Sequence, residues 1–448
     1  MIYLHVPFCR SFCTYCDFYS EIACQGRDAQ LFEAYTAAVC AEASRRRDEI
    51  EATRDLNTLY VGGGTPSVLP LAHLRQLAAA ASLMTGGVPP EPPASLRSED
   101  SRRQSTGGGK AERELVFRQT CPENNFRPPV WKTPSAGFVE FTVEVNPEDI
   151  VEKGEAYVRE LLELGVNRIS MGVQSLDDGI LRWMNRRHDA AHARQAFEIL
   201  RQAGVENISV DLIFGLSQLS EAILSETVRE IVAWRPEHIS AYQLSIEEGS
   251  ALGRMVREGR YAEASQEQCA AQYRLLCDAL CEAGYLHYEI SNWALPGREA
   301  IHNSAYWSRH PYVGLGPGAH SFDGHTRSWN PDALPRTQAA TASGNRATLG
   351  IVRGRGPSSD GRGPAQPDVS GGSWPLRGGK EVLSETEAKE EEVMLGLRTA
   401  RGVEEGLLDA AKAAAMLADG RLARLPDGHI RIPEAYWFVS DDIIADLL

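Results

Sequence analysis

Three cysteines fall within eight residues at the spacing C-x3-C-x2-C: Cys9, Cys13 and Cys16, in the stretch FCRSFCTYCDFYS that runs from Phe8 to Ser20. Thiolates crowded in this way bind zinc or an iron–sulfur cluster. A structural zinc wants four ligands, and His5 and Asp17 are the nearby groups able to supply the fourth. A cubane cluster on three thiolates instead leaves one iron open. An open iron can hold a small molecule through an amine and a carboxylate. On that reading the missing fourth thiolate is the point of function, as catalytic metals also keep a position free.

Further groups suit a ligand. Gly62-Gly63-Gly64-Thr65-Pro66 reads as a tight turn, or as a place where an ammonium or phosphate comes close to the backbone. No Lys-Ser/Thr follows it, so it is not a nucleotide P-loop. Glu144 and Asp211 lie in apolar runs, where a bare charge is costly. They suit ribose hydroxyls or an ammonium; the alternative is an internal ion pair with Arg168 or Arg186. Cys269, Cys277 and Cys281, with Tyr273 between them, repeat at helical spacing and read as a buried helix stripe.

These groups need elements to position them. Short β-branched runs predict strands over residues 2–6, 58–62, 140–146, 168–174, 208–215 and 238–245. Amphipathic runs predict helices over 31–50, 71–83, 154–164, 190–203 and 222–234. Strand alternating with helix implies parallel strands joined by crossover helices. Six such units predict an α/β fold: a partial (β/α)6 barrel, shorter than the usual eight. Functional groups of such barrels gather at the carboxyl ends of the strands. Here those ends read as the cysteine cluster, YVGGGTPS, NPED, SMGVQS with Gln174, SVDLIFGL with Asp211, and SAYQLSIEE.

Two stretches break the pattern. Residues 85–137, within the barrel span 1–250, are rich in Gly, Pro, Ser and charge and read as a low-complexity insertion; 340–380 reads as a flexible linker. Beyond it, 381–448 is expected to form a small α+β or winged-type domain. The chain has 448 residues, 43% hydrophobic and 24% charged, with nine cysteines, too few for a disulfide scaffold. No run of about 20 apolar residues predicts a membrane span, and MIYLHVPFC lacks the marks of a secretory leader. Free thiols in a reducing cytoplasm are therefore expected. A net charge of −15 argues against a general nucleic-acid surface.

Taken together, the triplet with Tyr15 before its last cysteine, and GGGTP one strand later, resemble the radical S-adenosylmethionine (SAM) superfamily. HVPFCRSFCTYCDFYS, YVGGGTPS, EVNPED, NRISMGVQS, VDLIFGL and HISAYQLSIEEGSAL look like successive blocks of its HemN/HemW group. The resemblance implies a [4Fe-4S] cluster on Cys9, Cys13 and Cys16, with SAM on the open iron. It implies SAM contacts at Tyr3, Tyr15, Gly62, Gly63, Gly64, Thr65, Glu144, Gln174, Arg186 and Asp211.

Within that group, coproporphyrinogen III oxidases carry a further cysteine two positions after the third, where this chain has Phe18, and a longer N-terminal arm. The haem-chaperone branch lacks that cysteine and carries HNxxYW, which stands here as His302-Asn303-Ser304-Ala305-Tyr306-Trp307 in a region, 251–339, specific to the family. The resemblance thus implies a haem chaperone, with His302 on haem iron and Tyr306 and Trp307 flanking the macrocycle. His310 and His320 are lesser candidates. The implied partners are haem, haem-accepting client proteins, an electron donor of flavodoxin or ferredoxin type and a peripheral membrane contact. The rivals are coproporphyrinogen III dehydrogenase and a structural zinc protein. One departure concerns the fold: GLSQLS stands where the group has GLPGQT, which unsettles the helix start that follows.

Overall fold

The computed structural model describes residues 1–23, 28–82, 137–334 and 378–448. Most of the insertion and of the linker expected from composition lies outside the described residues. Six parallel strands follow one another in space as in sequence: β1 (Ile2–Val6), β2 (Thr58–Gly63), β3 (Glu140–Val145), β4 (Arg168–Gln174), β5 (Ile208–Phe214) and β6 (His238–Gln243). Each lies within two residues of its expected span. Three more join the sheet. The hairpin β7 (Leu286–Glu289) and β8 (Asn292–Ala294) adds antiparallel beside β6, and β9 (Val313–Leu315) pairs parallel with β1. Among the described residues the sheet is thus nine-stranded; the extra three are short, and residues this few carry little periodic signal.

The helices α1 (Asp28–Arg45), α2 (Leu71–Ser82), α3 (Pro147–Glu163), α4 (Ala190–Gln202) and α5 (Glu221–Trp234) form the crossovers. The period of two explains the layering. Leu4, Val61, Val143, Met171, Val210 and Ile239 are all at most 1% exposed and form one apolar sheet face. Each such side chain contributes roughly 1.5–3 kcal/mol when fully buried. The alternate positions, Tyr3, Tyr60, Glu144, Ser170, Asp211 and Ser240, are polar and line the barrel interior. A core on one face and polar groups on the other is what a barrel with a working interior needs.

Two helix boundaries differ from expectation. α1 starts at Asp28 and stops at Arg45, and a separate short helix covers Arg47–Ala52. α3 begins at Pro147, not 154, because Asn146 caps it by accepting from the Glu148 N–H and Pro147 occupies the first turn. The helix is interrupted at Gly154 (φ 70°, ψ −172°), which is why periodicity picked up only its second part. The GLSQLS departure does no harm: Ser220 caps α5, accepting from the Ile223 N–H.

The cysteine stripe lies on α6 (Gln266–Glu282), with Cys269 and Tyr273 buried and Cys277 half-buried. Cys281 is disulfide-bonded, which departs from the expectation of free thiols. α7 (Ile301–Trp307) carries HNSAYW. The tail holds α8 (Glu385–Gly396), closed by a capping box of Ser384 and Glu387, with α9 (Ala410–Asp419), α10 (Ser440–Leu447) and a three-stranded antiparallel sheet. A β-bridge from Glu289 to Thr399 joins it to the main sheet. Among the described residues no helix is long and apolar enough to cross a membrane.

Candidate functional site

The cysteine loop leaves the carboxyl end of β1 and is held by the segment that follows β4. Thr14 donates from its backbone N–H to Met184 O (3.0 Å) and from its hydroxyl to Trp183 O (2.9 Å), and Asn185 Nδ2 donates to Phe12 O (2.6 Å). The thiols themselves have donors. Thr65 Oγ1 lies 3.5 Å from Cys9 Sγ and Arg186 Nη1 lies 3.4 Å from Cys13 Sγ. Arg186 Nη2 donates to Gly172 O at 2.7 Å, while its buried Nε has no hydrogen-bond partner among the described residues.

Burial pushes the Cys9 thiol up, and pushes the Cys16 thiol up to about 12, the neighbouring thiols adding to the effect. Such sulfurs stay protonated until a metal displaces the proton. A donor set of three thiols beside a buried guanidinium fits a cluster whose thiolates bring excess negative charge. The zinc reading fares worse. His5 donates from Nε2 to Tyr19 O (2.8 Å) and accepts at Nδ1 from the Tyr3 hydroxyl (3.0 Å), so neither nitrogen is left for a metal. Among the described residues no three His, Cys, Asp or Glu side chains are set to share one ion; a cubane asks for something different, one thiolate on each of three irons.

The rim residues lie beside this loop. Glu144 accepts from the Tyr60 hydroxyl (2.7 Å) and from the Gly63 N–H (3.1 Å). Burial pushes its carboxyl up to about 7; the Tyr60 hydrogen bond opposes this and Asp211 adds to it. Asp211 accepts from Ser170 Oγ at 2.9 Å and is likewise raised by burial. Both carboxyls are enclosed by the barrel wall yet face its interior, so each stays partly accessible.

Neither carboxylate makes the ion pair that was its alternative reading: Arg168 faces Glu140 instead (3.8 Å), and Arg186 is turned to Cys13. The glycine run is not a simple turn either. A Cβ on Gly62 would sit 2.7 Å from Glu144 Oε1, and one on Gly63, whose φ is 110°, would sit 2.5 Å from the His5 ring. The run is therefore bare so that Glu144 and His5 can close over it, while Gly64 N–H bonds Val6 O (2.8 Å) and Thr65 N–H bonds Phe8 O (2.7 Å).

Gln174 takes a left-handed φ of 68° where the pairing of β4 with β5 is irregular, which brings its amide beside Gly172 and Arg186. A non-glycine residue held there costs on the order of 1 kcal/mol and marks an imposed geometry. Tyr15 packs near Arg186 and Cys13, its hydroxyl raised by burial. Tyr60 was missed in the sequence reading. Its signal was the alternation Thr58, Tyr60, Gly62 along a strand taken only as apolar.

His302 lies elsewhere. It is 2% exposed, with Nδ1 2.8 Å from Thr58 Oγ1 and Nε2 3.0 Å from the Tyr306 hydroxyl. Thr58 opens β2 and Gly63 closes it, so about 3.3 Å per residue puts His302 roughly 16 Å below the rim. Burial pushes its imidazole down to about 3. The backbone N–H groups of Ile301 and His302 both donate to the Glu140 carboxylate at 2.9 Å, supplying the cap that Ala300 cannot. HNSAYW thus closes the amino-end floor of the barrel and is not part of the cysteine site.

Beyond His302, Tyr306 is spent on the imidazole, and Trp307 reaches a cavity of about 160 Å³ shared with Arg309, Arg401 and His429. His310 pairs with Asp55 at 3.2 Å, and His320 stacks on Trp329.

The sequence matches the radical SAM superfamily over residues 3–231. It is 30% identical to heme chaperone HemW of Bacillus subtilis, covering 90% of this chain and 84% of that one. It is also 30% identical to heme chaperone HemW of Mycobacterium tuberculosis H37Rv, over 94% of this chain and 88% of that protein. Its fold is similar to that of the radical SAM enzyme coproporphyrinogen III oxidase (HemN) from Escherichia coli, with a TM-score of 0.64 covering 99% of this chain and 89% of that one. At 18% identity that likeness concerns the fold alone.

Proposed function

The chain belongs to the radical SAM superfamily and, within it, to the HemW branch, and from that premise we propose that it is a haem chaperone, binding haem and passing it to client proteins. The observation that carries the choice within the superfamily is Phe18. It stands 70% exposed two positions beyond Cys16, where the resemblance to coproporphyrinogen III oxidases would require a fourth cysteine.

Cys9, Cys13 and Cys16 would hold a [4Fe-4S] cluster, and the rim would hold SAM. Arg186 balances thiolate charge at Cys13. Glu144, kept in place by Tyr60 and Gly63, offers a carboxylate to an ammonium, and Asp211 offers one to ribose hydroxyls. Tyr3, Tyr15, Gly62, Gly64, Thr65 and Gln174 shape the space between them. The cluster and SAM, when bound, supply one-electron chemistry; the barrel interior keeps water from it. Electrons would come from a flavodoxin- or ferredoxin-type donor, for which exposed Phe12 and Phe18 offer an apolar contact beside the cysteine loop. The cytoplasm is the proposed compartment.

For haem, ligation through His302 requires its imidazole to leave Thr58 or Tyr306. Haem is therefore expected to reach it only after α7 moves, with Tyr306 and Trp307 then free to flank the macrocycle.

The test is anaerobic. The protein with its cluster reconstituted is given SAM, a low-potential reductant and coproporphyrinogen III, and tetrapyrrole mass is followed beside a haem titration. The expected result is an unchanged tetrapyrrole and a saturable haem spectrum. Repeated formation of a product short of two carboxyl groups would overturn the chaperone reading. The variant His302→Ala separates the haem question: lost haem retention at an unchanged fold supports ligation, and unchanged affinity removes His302 from the site. Its unfolding must be measured alongside, because it leaves Thr58 and Tyr306 unpartnered in the floor, at about 1–3 kcal/mol.

A further inference from the structure

The short piece of α3 before Gly154 is tied to the cysteine loop, to the loop that follows the glycine run and to the segment that carries Arg186. Asp149 is fully buried. It accepts from Ser67 Oγ at 2.6 Å and from Arg187 Nη1 at 3.0 Å. Ser67 directly follows Gly62-Gly63-Gly64-Thr65-Pro66, and its Oγ also accepts the Asn146 N–H at 3.2 Å, two residues after Glu144. Arg187 directly follows Arg186, the residue on Cys13 Sγ, and also pairs with Glu148 at 3.0 Å. One turn further along α3, Glu152 accepts from Arg10, inside the cysteine loop, at 2.7 Å. Lys153 Nζ donates to Ser67 O.

We infer that Asp149 is a positioning residue: with Ser67 and Arg187 it sets the GGGTP loop, the Glu144 strand end and the Arg186 segment in register, and so fixes where SAM meets the cluster. The inference rests on the reading of the site given above. The chemistry favours a charge-assisted hub. A fully buried carboxylate shared between a buried hydroxyl and a half-buried guanidinium has one low-energy arrangement. Two of its partners sit one or two residues from groups that touch the thiols, so a shift at the hub moves both Thr65 and Arg186. Catalytic geometry tolerates about half an ångström, which the loss of the Asp149–Arg187 pair can exceed. Arg10 and Glu152 are more exposed and add less.

The test uses the full chain with its cluster reconstituted anaerobically, in Asp149→Asn, Arg187→Ala and the double variant. Iron and acid-labile sulfide per chain, SAM affinity from its effect on the spin-resonance spectrum of the reduced cluster, and Tm are measured together. SAM affinity is expected to fall at least tenfold in each single variant, and no further in the double, because both remove one interaction. A fall in Tm with SAM affinity unchanged in the folded, cluster-bearing fraction would assign Asp149 to stability alone and overturn the inference. Ser67→Ala is the milder probe if the others do not fold: weakened SAM binding is expected, and unchanged binding counts against the hub. Wild-type protein that takes up neither cluster nor SAM would overturn the site reading itself, and the inference with it.

Discussion

At the scale of the residue, Glu144 is the group with the most to say. Its carboxyl is pushed up to about 7 by burial, from an ordinary value near 4.5. A raised acid stabilises the fold in its protonated form: that contribution is complete below the unfolded pKa and is lost as pH rises through about 7. A cationic ligand needs the other form. SAM binding is therefore expected to tighten roughly tenfold between pH 6 and pH 8, with release of a proton, both measurable by calorimetry in buffers of different ionisation enthalpy. Glu144→Gln should bind more weakly and lose this pH dependence. A wild-type affinity that is flat with pH would mean that Glu144 does not face the cation. The residue itself was legible, as a carboxylate in an apolar strand. Its partner Tyr60 was not, because a tyrosine in a strand has many uses, and only the register of β2 against β3 brings the hydroxyl to Oε1.

At the scale of the element, α3 shows how a helix can be built in two parts with two tasks. Its first part docks on Ser67, Arg187 and Arg10; its second, through Tyr157, Val158 and Leu161, joins the core. Gly154 separates them at φ 70° and ψ −172°, a region open in practice to glycine alone. A Cβ there would touch nothing within 4 Å, so the cost of Gly154→Ala is purely conformational. The substitution is expected to lower stability by about 1–3 kcal/mol, read from the denaturant midpoint. If the two parts instead fuse into one straight helix, stability will hold and SAM binding will suffer. The start of α3 was written plainly in Asn146-Pro147-Glu148-Asp149, a cap followed by proline and acidic residues; the strand before it drew attention away.

At the scale of the whole molecule, the tail shares the apolar core of the barrel and is also tied to it by buried polar and ring contacts. Glu391 on α8 takes both Arg309 (2.7 Å) and Arg327, at 12% side-chain exposure, and Trp437 meets the His287 ring edge-on at 4.3 Å. Removing the carboxylate leaves two half-buried guanidinium groups facing each other. Glu391→Ala is expected to destabilise the protein by roughly 2 kcal/mol, and to loosen the tail before the barrel. Hydrogen exchange should show this as earlier opening of α8 than of β3 or β4. Uniform opening would mean that tail and barrel unfold as one.

The sequence by itself determined the parallel strand order and the gathering of thiols, glycines and carboxylates at one rim. The reason is local. Period-two runs and βα alternation leave little choice of topology, and a strand's carboxyl end is always the side where its loop emerges. What only the tertiary structure decided was the use of groups far apart in the chain. His302, Thr58 and Glu140 meet because the chain returns to the barrel floor after β8, and no spacing in the sequence encodes that return. The same holds for Asp149 with Ser67 and Arg187: a fully buried carboxylate must be partnered, and the fold brings it a hydroxyl from the loop after β2 and a guanidinium from the segment after β4.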